Sequence, residues 1–145
     1  MSWGQILMWG AVLGGIVGAG GFFLRKTTPP QPPTYFLYHL LRLQSQLNQK
    51  HLSNTQLKDI FISFESLLHS LLHALGIRGV SLKEKIQKAQ QAAIFTPQLS
   101  QQLLQLTDTF HKIRTQGHMP EPQHIKTLQQ VIEQLKSKLQ QLINA

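Results

Sequence analysis

Cysteine is absent from the 145-residue chain, which excludes disulfides, thiolate ligands and thiol nucleophiles. Acidic residues are scarce: six carboxylates stand against 14 lysines and arginines, giving a formal net charge of +8. Asp59 and Asp108 are the only aspartates, and no Ser-His-Asp set emerges from their positions. No glycine-rich phosphate loop follows a strand-like run. No charged side chain precedes Arg25, so the basic excess lies wholly in residues 25–145. Charged residues make up only 14% of the chain, and glutamine supplies much of the polar surface. A basic, Gln-rich chain suits nucleic acid, anionic lipid headgroups or an acidic protein. The cations are dispersed and lack interleaved aromatics, which disfavours nucleic acid among these partners.

What the N-terminus has instead of charge is hydrophobicity. The run WGQILMWGAVLGGIVGAGGFFL extends from Trp3 to Leu24. As a helix it spans about 33 Å at roughly 1.5 Å per residue, which matches a hydrocarbon core of about 30 Å. Trp3 suits a headgroup-level anchor, and Arg25 and Lys26 end the run. A cleaved signal peptide needs positive charge before the apolar run. Here the charge comes after it, so the expectation is an uncleaved anchor over residues 1–26. The same asymmetry predicts an N-terminus outside and a cytoplasmic C-terminal domain at the cell (inner) membrane. Gly10, Gly14 and Gly18 recur every four residues, beside the row Ala11, Gly15 and Ala19. Small residues in such rows let helix backbones approach closely. They predict a helix-packing face for a homo-oligomer or for other membrane-complex subunits.

Residues 27–34, TTPPQPPT, read as an extended Pro-rich spacer of about 25 Å at roughly 3.1 Å per residue. The remainder, residues 35–145, is helical in pattern, with no strand signal. Phe36, Leu40, Leu43 and Leu47 mark a first helix over 35–50. A second runs from about Thr55 to Leu75, capped by Ser53 or Asn54 and ended by Gly76. Its stripe of Ile60, Phe64, Leu67, Leu71 and Leu75 is widened by Phe61, Leu68 and Leu72, as befits a central helix. Ser81 and Glu84 have capping-box spacing ahead of Leu82, Ile86, Ala89 and Ala93. Thr96-Pro97 opens a fourth helix carrying Leu99, Leu103, Leu106, Phe110 and Ile113. The last, from about Gln123, carries Ile125, Leu128, Ile132, Leu135, Leu139 and Leu142. The fold class is therefore all-α: one transmembrane helix followed by a four- to five-helix bundle, its last two helices antiparallel neighbours.

Between those last two helices lies HKIRTQGHMPEP, residues 111–122. Taken with SFESLLHSLLHAL and SLKEKIQKAQQAAIFTPQLSQQL upstream, it resembles the HEPN superfamily over roughly residues 54–143. Active members are metal-independent ribonucleases, usually dimeric, built on an Arg, a polar residue that is often Asn, and a His. A His moves the proton of the ribose 2′-hydroxyl, and an Arg stabilises charge on the phosphorane. The resemblance sets Arg114 on the family's Arg and Gly117 on its turn glycine. His118 falls where one subgroup often carries Asn, and Pro122 falls near the expected His. This departure implies a HEPN-like fold without nuclease chemistry. In that reading Arg114 serves the carbonyl end of its helix, and Gly117 takes positive φ.

Glu65, His69 and His73 are spaced by four on the second helix, in the manner of a partial zinc set, but no fourth ligand accompanies them. The preferred expectation is that Glu65 and His69 pair with each other at the edge of the core. No metal site and no cofactor are expected. Together these readings predict a non-enzymatic, membrane-anchored interaction or assembly module. Two alternatives stand beside it: a membrane-tethered HEPN-type ribonuclease of a toxin or defence kind acting through Arg114 and His118, and a small subunit of an envelope-spanning secretion-type machine.

Overall fold

The computed structural model describes residues 31–144. The expected membrane segment, residues 1–26, lies outside the described residues together with Gly10, Gly14 and Gly18. Among the described residues there is no strand, and no helix is long and apolar enough to cross a membrane. Five helices follow in order: α1 Pro33–Leu47, α2 Asn54–Ala74, α3 Leu82–Gln91, α4 Pro97–Gln116 and α5 Pro122–Ile143.

Local chemistry sets their limits. α1 begins at Pro33, inside the stretch expected to be extended. Proline at the first helical position loses only an amide that has no helical acceptor, and its fixed φ already suits a helix. Pro32 before it stays extended, with φ −72 and ψ 162. Ser53 caps α2: its hydroxyl accepts from the Gln56 amide at 3.1 Å, and the Gln56 side chain accepts from the Ser53 amide at 2.9 Å. Thr96 caps α4 from just ahead of Pro97, accepting from the Leu99 amide at 3.2 Å.

At α3 two expectations need correction. The Ser81 hydroxyl does accept from the Glu84 amide, but the Glu84 carboxylate accepts from Val80 rather than from Ser81. Only half of a capping box forms. The helix then ends at Gln91, and Ala93 is exposed with φ 59 rather than continuing the apolar face. The left-handed turn lets the Ile94 amide donate to the Ala89 carbonyl at 2.9 Å. It also swings Ile94 and Phe95 into the core. Burying a leucine-sized side chain is worth about 1.5–3 kcal/mol, more than the roughly 1–2 kcal/mol that a left-handed alanine costs.

The apolar stripes converge on one core. α1, α2, α4 and α5 form a closed ring in which each touches the next, and α5 packs back on α1. The short α3 bridges α2 and α4. Fully buried Phe36, Leu40 and Leu43 from α1 join Phe61, Phe64, Leu68 and Leu72 from α2. Leu103, Leu106 and Phe110 come from α4; Leu128, Val131 and Ile132 come from α5. Phe110 sits between two rings, 6.4 Å from Phe61 and 6.2 Å from Phe64 between centroids. The first contact is edge-on and the second tilted, and aromatic pairs of this kind add to area burial. α1 is thus an integral wall of the bundle. Gln44 seals its seam with α5, donating to Glu133 at 2.8 Å and accepting from Lys136 at 3.2 Å. Between α4 and α5, Gln102 donates to Gln130 and accepts from Gln134.

Candidate functional site

The Arg114 turn is built by the way α4 ends. Ile113 is buried, which fixes the last turn against the core. Gly117 takes φ 63 and ψ 23. In that left-handed conformation its amide donates to the Ile113 carbonyl, and the His118 amide turns back to Lys112. His118 therefore lies beyond the turn, half-buried, while Arg114 remains on the helix. Pro120 is buried behind it, and Glu121 opens α5. His124 is engaged locally: its Nδ1 accepts from the Glu121 amide at 3.1 Å. His111 is exposed, and its carbonyl accepts from the Thr115 hydroxyl.

Arg114 does more than attend its own helix terminus. Its Nη2 lies 3.0 Å from Oε2 of Glu65, in the middle of α2. Glu65 is 7% exposed, flanked on the same helix by the buried Phe64 and Leu68. Burial pushes its carboxyl above the ordinary glutamate range, and the guanidinium pulls in the opposite direction. One turn further on, Nδ1 of His69 lies 3.3 Å from Nζ of Lys85 on α3. An ammonium has only donors, so Nδ1 accepts and the imidazole is neutral in this contact. Burial first, then Lys85 and Arg114, hold the His69 pKa below its ordinary value.

This arrangement corrects the expected Glu65–His69 pair. Each residue reaches a different neighbouring helix: Glu65 the end of α4, His69 the side of α3. The reason is electrostatic. A guanidinium gives the buried carboxylate a charge-assisted hydrogen bond, whereas a histidine crowded by two cations stays neutral and cannot serve as its counter-ion. Nor do Glu65, His69 and His73 gather as ligands. Among the described residues, no three His, Asp or Glu side chains are grouped to hold a metal ion.

The arrangement is thus a polar strut across α2, α3 and α4, with a carboxylate neutralised by an arginine and a histidine held by a lysine. Sequence reasoning missed the Arg114–Glu65 pair because 49 positions separate the partners. One signal was available: Glu65 stands in the run FESLL, on the face that Phe61, Leu68 and Leu72 define as core. A carboxylate there demands a cation from elsewhere.

Clefts lie elsewhere on the surface. One of about 290 Å³ opens between α1 and α2, where Tyr35, His39 and Arg42 face Ser63, Ser66 and Ser70. A second, sharing Arg42 and Ser63, includes Asp59. No protein-family model, curated protein or solved structure matches this chain.

Proposed function

We propose that this protein is a non-enzymatic interaction or assembly module, held at the inner face of a membrane by residues 1–26 and carrying a HEPN-like helical bundle. The supporting observation is the state of Arg114. Its guanidinium is committed at 3.0 Å to a buried carboxylate. An arginine that neutralises Glu65 is not at liberty to stabilise a phosphorane, and His118 stands beyond a left-handed glycine rather than on the same helix. Both fit an Arg-Gly-His stretch whose work is to end α4 and brace α2. The uncharged run before Arg25 and its glycine row supply the anchor and a face for copies of the chain or other membrane subunits.

The test is direct. Full-length protein in membranes is assayed for RNA cleavage and for toxicity on expression, beside Arg114→Ala and His118→Ala. The module reading expects no cleavage that either substitution removes. Cleavage abolished by both would transfer the assignment to the ribonuclease. Crosslinking in membranes should trap a defined oligomer or partner, and Gly14→Leu should reduce it. An unchanged crosslinked species would remove the glycine face from the proposal.

A further inference from the structure

α1 presents an outward face that the bundle does not use. Tyr38 and Leu41 are exposed at 64% and 43%, and Tyr35 is also exposed. Tyr35, Tyr38 and Leu41 follow one another at three-residue steps, and Arg42 stands four residues beyond Tyr38, so they share one side of the helix. α1 contains no Asp or Glu. Arg42 has no ion-pair partner among the described residues; Asp59 lines the adjoining cleft without closing a bridge to it. This side of α1 runs directly into the cleft of about 290 Å³, where Arg42 and His39 oppose the hydroxyls of Ser63, Ser66 and Ser70. The Tyr35 and Tyr38 rings both lie edge-on to His39, with centroids 4.4 Å and 5.3 Å away. Aromatic and aliphatic side chains beside a free guanidinium and a row of hydroxyls match the headgroup layer of a bilayer. There rings sit at the polar boundary, and phosphate takes charge-assisted hydrogen bonds from arginine.

We infer that this face of α1 lies on an anionic bilayer surface, with Tyr38 and Leu41 in the headgroup layer and a lipid phosphate in the Arg42 cleft. The inference rests on the proposed anchor, since the position of α1 in the chain supplies its occupant. Only six residues, 27–32, separate Lys26 from Pro33 at the start of α1. Even fully extended they reach no more than about 22 Å at roughly 3.6 Å per residue. α1 therefore starts within one short tether of the lipid in which residues 1–26 would sit. The charge agrees as well: the formal excess is +8, and all of it follows Leu24. Basic residues next to an anchor gain attraction to anionic lipid.

The absence of cysteine makes the test clean. Ser45→Cys, exposed one turn beyond Leu41, takes an environment-sensitive fluorophore on the full chain. A second label at Gln87→Cys, exposed on α3, serves as the reference. Both are reconstituted into vesicles of phosphatidylcholine alone or mixed equally with phosphatidylglycerol. The expected result is blue-shifted emission at position 45 only, strongest with phosphatidylglycerol. It should be lost with Arg42→Glu, weakened by Tyr38→Ser, and unchanged by added inorganic phosphate. Water-like emission at position 45 in both vesicles overturns the inference. So does a shift indifferent to Arg42→Glu, displaced by free phosphate, or growing with protein density as contact between copies would. Alkaline extraction of the same vesicles reports on the anchor separately. A chain released by alkali sinks the anchor, whereas a retained chain with a wet position 45 sinks only the headgroup contact.

Discussion

Removing Arg114 asks the bundle to tolerate a buried carboxylate without its counter-ion. In Arg114→Ala the Glu65 side chain, 9% exposed, keeps its place between Phe64 and Leu68 while the guanidinium 3.0 Å away disappears. The loss has a ceiling, because Glu65 can escape by taking up a proton. An ordinary glutamate titrates at 4.5, so protonation at pH 7 spans 2.5 pH units and costs about 3.4 kcal/mol at roughly 1.36 kcal/mol per unit. The Arg114 side chain is 51% exposed, so water already screens part of the attraction. The expected deficit at pH 7 is therefore about 1–2 kcal/mol. At pH 5 the ceiling itself falls to about 0.7 kcal/mol, and the deficit should shrink with it. Urea unfolding of the full chain in mild detergent, followed by helical circular dichroism, measures both. Glu65→Gln in the Arg114→Ala background should recover most of the loss at pH 7, a non-additive result. Equal deficits at pH 7 and pH 5, or strict additivity of the two substitutions, would refute the charge-pairing argument.

Three further outcomes follow from local geometry and charge. Gly117→Ala meets no atom within 4 Å, but it forces an L side chain to φ 63; thermal unfolding should report a loss of about 1 kcal/mol. Ser53→Ala removes the hydroxyl that accepts from Gln56 and should cost about 1 kcal/mol in the same assay. His69 is the acid-sensitive member of the strut. An ordinary histidine titrates at 6.5, and His69 is held lower by burial, Lys85 and Arg114. The fold thus favours the neutral ring. Its contribution is complete above pH 6.5 and drains away as pH falls through the lowered folded value. The urea midpoint of His69→Gln should accordingly fall less than wild type between about pH 7 and pH 5; parallel profiles would exclude His69 as the source.

The helices themselves were legible because their apolar spacing has one cause. Leu99, Leu103, Leu106, Phe110 and Ile113 recur at helical steps, and all five are buried. Thr96-Pro97 and Ser53 mark starts by chemistry confined to three or four residues, so the sequence carries them whole. Pro33 and Ala93 were misjudged for different reasons. Pro33 opens α1 because a first-turn proline already suits a helix, whereas Ala93 turns left-handed against local preference because Ile94 and Phe95 reach the core. The strut was the least legible part. Arg114 was read as a cation serving the end of its own helix and Glu65 as a partner for His69, while Lys85 carried no expectation. Their pairing depends on how α3 and α4 sit against α2, which spacing along one helix does not contain.

The pairing also bears on chemistry, because one guanidinium cannot fully serve two anions. If Arg114 were the charge stabiliser of a ribonuclease, Glu65 would compete with the phosphorane for it, and weakening Glu65 should release activity. Glu65→Gln retains the side chain's size and an acceptor oxygen but removes the charge, which frees Arg114 toward solvent without emptying the site. A ribonuclease therefore predicts cleavage of a fluorogenic RNA that is greater in Glu65→Gln than in wild type. That increase should vanish with Arg114→Ala. The assembly module predicts a flat baseline in every arm, with Glu65→Gln changing the unfolding profile and nothing else. Cleavage in Glu65→Gln above the Arg114→Ala background would show that the buried carboxylate restrains a catalyst, and the strut would then be an inhibitory clamp rather than a brace.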